Sequence, residues 1–336
     1  MEFVVMSWNV AGAKFFAAPP AARESWREHL NAALAHAVVL HRPDVVVLQE
    51  VIRYGDRDAP QDLITPPSGY HYQPWVVIDS YRNAHPDRWE RTRGGAGAWA
   101  PETWLAQGCG LLWREDLAHA AIWCADSTSA RPGPELQAEA VRLDTGLYTG
   151  SRDTEPRLAV VGHFALRKDA EQDLEVFVVN LHLTTFKGER EGLPARDELG
   201  RETRSWQLRT LLHGVVSRFN QWRAERGLDR TSRPPVWVLA GDLNALPGSH
   251  EVRYLESLNF VDLNPRKGAG TKRSGVTGPA TLTLDYIFAG PAYVAFDPYV
   301  LAHSIRANPE PLHDLANGVS DHLPLVATLR IDRKVG

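Results

Sequence analysis

Polar residues that terminate apolar runs are the first chemical feature of this sequence. Asn9 follows Val4-Val-Met-Ser-Trp8, and Glu50 comes just after Val45-Val-Val-Leu48. Asn180 and His182 sit within Val178-Val-Asn-Leu-His-Leu183, and Asp242 and Asn244 follow Val236 to Ala240. Asp285 lies in Thr283-Leu-Asp-Tyr-Ile-Phe288, and Ser320-Asp321-His322 precedes Leu323 to Leu329. In a layered fold, strand ends hold polar side chains rigidly without burying them unpaired, so chemistry collects there. Taken singly, each residue is ordinary: Asn and Asp at strand ends usually cap turns, and a lone His is usually structural.

Together they hold the parts needed to hydrolyse a phosphate ester with a hard divalent ion. Oxygen donors from Asn9, Glu50 and Asp321 suit Mg2+ or Mn2+, which take few protein carboxylates and keep water. Zinc would ask for more His or Cys. A His beside a carboxylate can act as a general base or a phosphate ligand, and Asp242 with Asn244 can orient an attacking water.

The elements that must position these groups alternate between strand-like and helix-like along the chain, which predicts an α/β layer architecture. Phe3 to Ser7 reads as a strand, and Glu24 to Leu40 as a helix with Trp26, Leu30, Ala33, Leu34, Ala37 and Val38 at helical spacing. Arg42-Pro43-Asp44 stops that helix and launches the β-branched run at Val45. Further strands are expected at Gly110 to Trp113, Leu158 to Leu166, Leu174 to Leu183, Val236 to Ala240, Leu284 to Ala289, Ala292 to Leu301 and Leu323 to Leu329. A second helix is expected over Leu199 to Trp222. From about 54 to 107 the composition turns to Pro, Gly, Asp, Arg and Trp, and reads as a long loop insertion. With no linker visible, the 336 residues are expected to form one domain.

Composition narrows the function from the other side. The net charge of -4 argues against a protein that coats nucleic acid electrostatically. No apolar stretch approaches the roughly 18 residues a membrane span needs. Two cysteines, Cys109 and Cys124, are too few for a disulfide scaffold or a four-cysteine zinc site. The first ten residues read as a strand, not as a signal peptide, so a cytoplasmic protein without an obligate partner is expected.

The order and wording of these segments resemble the endonuclease/exonuclease/phosphatase superfamily. Five motifs stand in family order: Ser7-Trp-Asn9, Leu48-Gln-Glu50, Asn180-Leu-His182, Gly241-Asp-Leu-Asn244 and Ser320-Asp-His322. A sixth, Leu284-Asp-Tyr-Ile-Phe288, falls where the family places the carboxylate that orients its catalytic His. The resemblance implies a four-layer α/β/β/α sandwich of two mixed sheets flanked by helices, with the active site at one edge. It implies Glu50 as the main metal carboxylate, supported by Asn9 and Asp321. Asp242 and Asn244 are implied to position or activate the nucleophile or to hold a second ion. His322 would pair with Asp285, and His182 would contact the scissile phosphate or assist the leaving oxygen. Whether Asp242 or His322 is the base stays open. So does the acid that pairs with the equivalent of His182 in deoxyribonuclease-like members, which has no clear counterpart in 54–107.

Substrate is the open question, because this chemistry serves unrelated leaving groups. Basic residues mixed with aromatics favour a nuclease: Tyr81, Arg82, Arg88, Trp89, Arg91, Arg93 and Trp99, then Arg266, Lys267, Lys272 and Arg273. The alternative is a phosphodiesterase or phosphatase acting on a lipid head group, inositol phosphate or other small phosphoester, which the acidic balance favours slightly. Arg190, Arg196, Arg201 and Arg204 are expected on a solvated mixed-charge face, and Trp26, Trp206 and Trp222 within helix packing. A non-catalytic binding protein on the same fold would lack metal or base residues, and every matched position here carries the expected type.

Overall fold

The computed structural model describes residues 2–12, 15, 18, 20–56, 58–78, 104–117, 139–142, 157–166, 174–185, 198–216, 235–263, 270–273, 280–290, 301–304 and 318–331. Two mixed sheets form its centre. The first has the order β14(Leu301–Ser304), β15(Leu325–Ile331), β1(Glu2–Asn9), β2(Val45–Gly55), β5(Trp104–Arg114), β4(Tyr70–Ile78), with β3(Pro60–Asp62) also on β2. The second runs β10(Val261–Asp262), β13(Asp285–Gly290), β9(Val236–Asp242), β8(Leu174–His182), β7(Leu158–Leu166), β6(Glu139–Arg142). A small ribbon of β11(Lys272–Arg273) and β12(Ala280–Leu282) stands apart from both.

The apolar runs are continuous because both faces of the central strands are buried. Phe3, Val5, Val45, Val47, Val176, Val178, Val236 and Val238 face inward, where the two sheets meet. The intervening Met6, Trp8, Val46 and Leu48 pack under helix α1(Pro20–His41) through Leu30, Ala33, Leu34, Ala37 and Val38. On the far side, Phe177, Val179, Trp237 and Leu239 pack under α2(Glu198–Leu211) and α3(His250–Ser257) through Leu208, Leu211, Val252 and Leu255. The result is the expected α/β/β/α sandwich.

Each sheet has a parallel pair at its heart, reached by a helix crossover. β1, α1 and β2 make one such unit, and β8, α2 and β9 the other. Asn9 lies opposite Gln49 at the end of the first pair, and His182 opposite Asp242 at the end of the second. Carboxyl ends of parallel strands are where a layered fold leaves open backbone groups and presents ligands with side chains. Asp285 pairs with Asp242 across the antiparallel neighbour β13, so it reaches the same edge.

Several elements depart from the sequence reading. The stretch read as one loop over 54–107 carries β3, β4 and the start of β5, because β4 pairs with β5 despite its Pro74. Pro is tolerated there because β4 is an edge strand. The second helix gives way at Leu212–Val216 to a π-helical turn. Trp206 is 48% exposed instead of packed, while Trp26 is half-buried against the α1 core. Trp222, the insertion cluster from Tyr81 to Trp99, and most of the expected strand at 292–301 lie outside the described residues.

Asn180, though part of a motif, joins the sheets. Fully buried, it donates through Nδ2 to the carbonyls of Leu48 and Gly110 (2.9 Å each) and accepts from Gln49 Nε2 (2.8 Å). Asn180→Ala leaves those buried groups unsatisfied and is expected to cost about 3 kcal/mol, at ~1–3 kcal/mol for each lost partner. Urea denaturation measures it; a loss under 1 kcal/mol would show that the sheets do not depend on this link.

Candidate active site

Side chains from the two sheets meet in two facing rows. The second sheet presents Asp285, Asp242, His182 and Arg157 on, or immediately before, four adjacent strands, β13, β9, β8 and β7. The first presents His322, Asn9 and Glu50 from the segment before β15 and from β1 and β2.

Asp242 is the hub. Its Oδ2 accepts from Asn9 Nδ2 at 3.0 Å and lies 3.8 Å from Nε2 of both His182 and His322. Its Oδ1 accepts the Asn244 N–H at 2.8 Å. Asn9 Nδ2 also reaches Glu50 Oε1 at 3.3 Å, and Asn9 Oδ1 is fixed by the Ala11 N–H at 2.9 Å. One amide therefore spans a carboxylate from each sheet. Asn244 supports the hub from behind, its Nδ2 donating to the Leu183 carbonyl at 3.0 Å.

Glu50 is aimed by an irregularity. The β2–β5 register skips from Gln49 opposite Cys109 to Val51 opposite Gly108, leaving Glu50 as the extra residue of a bulge with φ +56°. A bulge turns a side chain out of the alternation, and left-handed backbone in a non-glycine residue is stored strain. Gly12 is required opposite it, since a Cβ there would lie 2.0 Å from the Glu50 carbonyl oxygen.

His322 is held from every side. Its Nδ1 donates to Asp285 (2.8 Å to Oδ2), its N–H donates to Ser320 Oγ, and its carbonyl accepts from Trp8 Nε1. Ser320 Oγ in turn donates to the Asn9 carbonyl at 2.7 Å. Asp285 is oriented by Thr271, whose Oγ1 donates to Oδ2 at 2.7 Å while accepting the N–H groups of Leu284 and Asp285. Asp321 is half-buried, and its carbonyl accepts from the Arg273 N–H.

These contacts set the charge states. Burial alone would depress His322, but the charge and hydrogen bond of Asp285, aided by Asp242, hold it up at about 9. Burial and the Asp285 charge push the Asp242 carboxyl up to about 6, against the pull of His322 and Lys272. Burial, then the charges of Arg157, His322 and Lys272, hold His182 well below the ordinary imidazole range.

Asp242, Asp285 and His322 can bring one ligand atom each within 4.8 Å of one another, and Glu50 joins through Asn9. This oxygen-rich set, with one imidazole and no thiolate, fits a hard divalent cation. Neither Glu50 nor Asp321 belongs to the tight three-residue group itself.

The sequence profile of the Endonuclease/Exonuclease/phosphatase family matches residues 6–322. The chain belongs to that family. Its chemistry is accordingly that of a phosphoesterase. Solved structures agree on the fold: the human Nocturnin catalytic domain with bound sulfate has a TM-score of 0.52 at 18% identity, covering 98% of this chain and 95% of that one. The family protein from Beutenbergia cavernae has a TM-score of 0.51 at 21% identity, covering 98% and 72%. ANGEL2, described as a 2',3'-cyclic phosphatase in complex with adenosine-2',3'-vanadate, has a TM-score of 0.56 at 15% identity, covering 99% and 96%. No curated protein matches the sequence.

Sequence reasoning missed two members of the site, Arg157 and Thr271, because nothing in their local pattern marks them. It also misread Arg204. That residue is buried and ion-paired with Glu251 at 2.8 Å, and it ties α2 to α3 and to the Thr184 carbonyl. Arg201 stays exposed beside Glu198, as expected, while Arg190 and Arg196 lie outside the described residues. Arg273 is buried, not part of a solvated basic patch. Among the described residues no helix is long and apolar enough to cross a membrane.

Proposed function

We propose that this chain is a Mg2+- or Mn2+-dependent phosphoesterase that hydrolyses a nucleotidic phosphodiester by attack of water. The observation that carries the reading is the Asp242 hub. One carboxylate oxygen is bonded to an amide and lies 3.8 Å from two imidazole nitrogens, too far for direct hydrogen bonds and right for a bridging oxygen.

Glu50 would hold the ion, with Asp321 at the rim, and the Asn9 amide would keep the Glu50 and Asp242 carboxylates in place. When bound, the ion neutralises charge developing on the phosphoryl oxygens. Asp242, with its pKa near the working pH, takes the proton of the attacking water. His322 keeps its proton past neutrality, so it donates to a non-bridging phosphoryl oxygen and does not serve as the base. Asp285 and Thr271 fix its ring. His182, neutral, contacts the phosphate from the other side, and Asn244 keeps Asp242 in place. The nucleotidic substrate is supported by Lys272, whose backbone bridges to His322, and by the adenosine-2',3'-vanadate that ANGEL2 binds in the same fold.

A substrate panel tests this: single- and double-stranded DNA, RNA, a generic aryl phosphodiester, sphingomyelin and inositol phosphates, each with Mg2+, Mn2+ or EDTA. Nucleic acids should be cut, EDTA should abolish cleavage, added Mn2+ should restore it, and rising salt should suppress it. Cleavage confined to the lipid or the inositol phosphates would replace the substrate class. No cleavage of any phosphoester would end the proposal.

A further inference from the structure

His182 is the last residue of β8, so the ladder between β8 and β9 ends at a side chain the site needs. What holds the next three residues decides where the imidazole stands. Leu183 is fixed by the end of β9 and the turn after it: its N–H donates to the Asp242 carbonyl at 3.0 Å, and its carbonyl accepts from Asn244 Nδ2 at 3.0 Å. Thr185 is fixed by Arg157, whose Nη2 donates to its Oγ1 at 3.1 Å and whose Nη1 lies 3.0 Å from His182 Nδ1. Between them, Thr184 is taken up by α2. Gln207 Oε1 accepts the Thr184 N–H at 3.0 Å, and Gln207 Nε2 donates to Thr184 Oγ1 at 2.9 Å. Arg204 Nη1 adds a longer contact of 3.4 Å to the Thr184 carbonyl.

Gln207 thus meets Thr184 as another strand would. A carboxamide carries an acceptor and a donor side by side, the same pair that a peptide group presents, and here both are used on one residue. Thr184 and Gln207 are both buried, so losing either bond leaves a buried group unpaired. The helix end of the clasp is rigid. Arg204 stands one turn before Gln207 on the same face and is ion-paired at 2.8 Å with Glu251 of α3, itself fully buried. Leu208 and Leu211 root the same helix in the core beneath the second sheet. None of the sequence motifs contains Gln207 or Thr184.

We propose that Gln207 is a positioning residue for the reaction at this edge. By clasping Thr184 it sets where His182 stands relative to Asp242, and so the distance from which the imidazole meets the phosphate. The lever is short. Thr184 is two residues from His182, so loss of the clasp frees backbone next to an imidazole whose Nε2 stands 3.8 Å from Asp242 Oδ2. A displacement of about 1 Å in a reacting group costs on the order of a hundredfold in rate. The inference rests on the reading of this edge as a phosphoesterase site, and it adds α2 to the elements that set the geometry of that site.

The test is a double-mutant cycle on the full chain, with Mn2+ and an activated aryl phosphodiester, beside magnetic resonance of the metal-free protein. Gln207→Met should lower kcat on the order of tenfold to a hundredfold and change KM by less than about twofold. Gln207→Glu should recover much of that loss, because a carboxylate beside the Arg204 guanidinium still accepts the Thr184 N–H, and the Thr184 hydroxyl can turn to donate. Thr184→Val, which removes the hydroxyl alone, should fall between the two. In a His182→Ala background, Gln207→Met should cost no further activity, since the group it positions is gone. Without metal, the His182 ring resonances should shift in Gln207→Met and return in Gln207→Glu. If Gln207→Met fails to fold, Thr184→Val takes its place in the cycle, with Thr184→Ser as the rescuing change. The role is overturned if Gln207→Met lowers activity equally with and without His182, or if the folded variant keeps wild-type kcat. Wild type that cleaves diesters, with His182 resonances unmoved in Gln207→Met, would sink the positioning role alone. Moved resonances in a chain that cleaves no phosphoester would sink the phosphoesterase reading alone.

Discussion

Glu50→Gln should lower kcat/KM with Mn2+ by about a thousandfold, equivalent to ~4 kcal/mol of transition-state stabilisation. The substitution keeps the shape of the side chain and an oxygen for the Asn9 amide, and removes the charge that a divalent ion needs. Mn2+ affinity, measured by calorimetry, should fall in parallel. Stability should not fall, because Glu50 occupies a bulge with φ +56° and packs into no core. Glu50→Gly sharpens the contrast: it relieves left-handed backbone and should stabilise the metal-free protein by about 1 kcal/mol while abolishing turnover. A variant that lost activity by melting would show that Glu50 holds the fold and not the ion. Full activity in Glu50→Gln would remove it from the site.

Asp285→Asn should cut turnover about a hundredfold or more at neutral pH and move the alkaline limb of the pH profile to lower pH. In wild type, activity should rise as Asp242 loses its proton near pH 6 and fall as His322 loses its own near pH 9. These limbs belong to the interacting set as a whole. Removing the Asp285 charge takes away the main support for the imidazolium, so His322 releases its proton earlier. The same shift has a stability signature in the metal-free protein. His322 has a folded pKa raised above the unfolded value of ~6.5, so its contribution is complete below about pH 6.5 and disappears as pH climbs through about 9. Wild type should therefore lose its advantage over Asp285→Asn across that window, as read by urea denaturation at several pH values. An unmoved alkaline limb would show that His322 is not the proton-bearing group. His322→Ala should abolish the limb together with most of the activity.

The contrast between these residues and Asn180 shows how far a motif speaks. Asn180 and His182 stand two positions apart on one strand and share a motif. Asn180 spends its amide on Leu48, Gly110 and Gln49 between the sheets, whereas His182 faces Asp242 and Arg157. The sequence shows which residue types end a strand, and the partner strands decide which of them are left for chemistry. Arg204 makes the same point in reverse. Its surroundings of Glu and Arg read as a solvated face, but its own position turns it under α2 onto Glu251.

Local pattern settled a good deal by itself. Runs such as Val45 to Leu48 and Val236 to Ala240 announce strands buried on both faces, the spacing of Leu30, Ala33, Leu34 and Ala37 announces the helix above them, and polar residues at strand ends announce candidate donors. These signals are short-range: periodicity, branching and termination are properties of a few consecutive residues. The remainder depended on pairing between distant segments. The register slip that aims Glu50, the β7–β8 alignment that delivers Arg157, the Thr271 hydroxyl that orients Asp285, and the β4–β5 pairing inside an apparent loop all couple residues that carry no mark of each other. Register is chosen by the summed burial and hydrogen bonding of whole strands, so only the assembled sheets could decide which side chains share the edge.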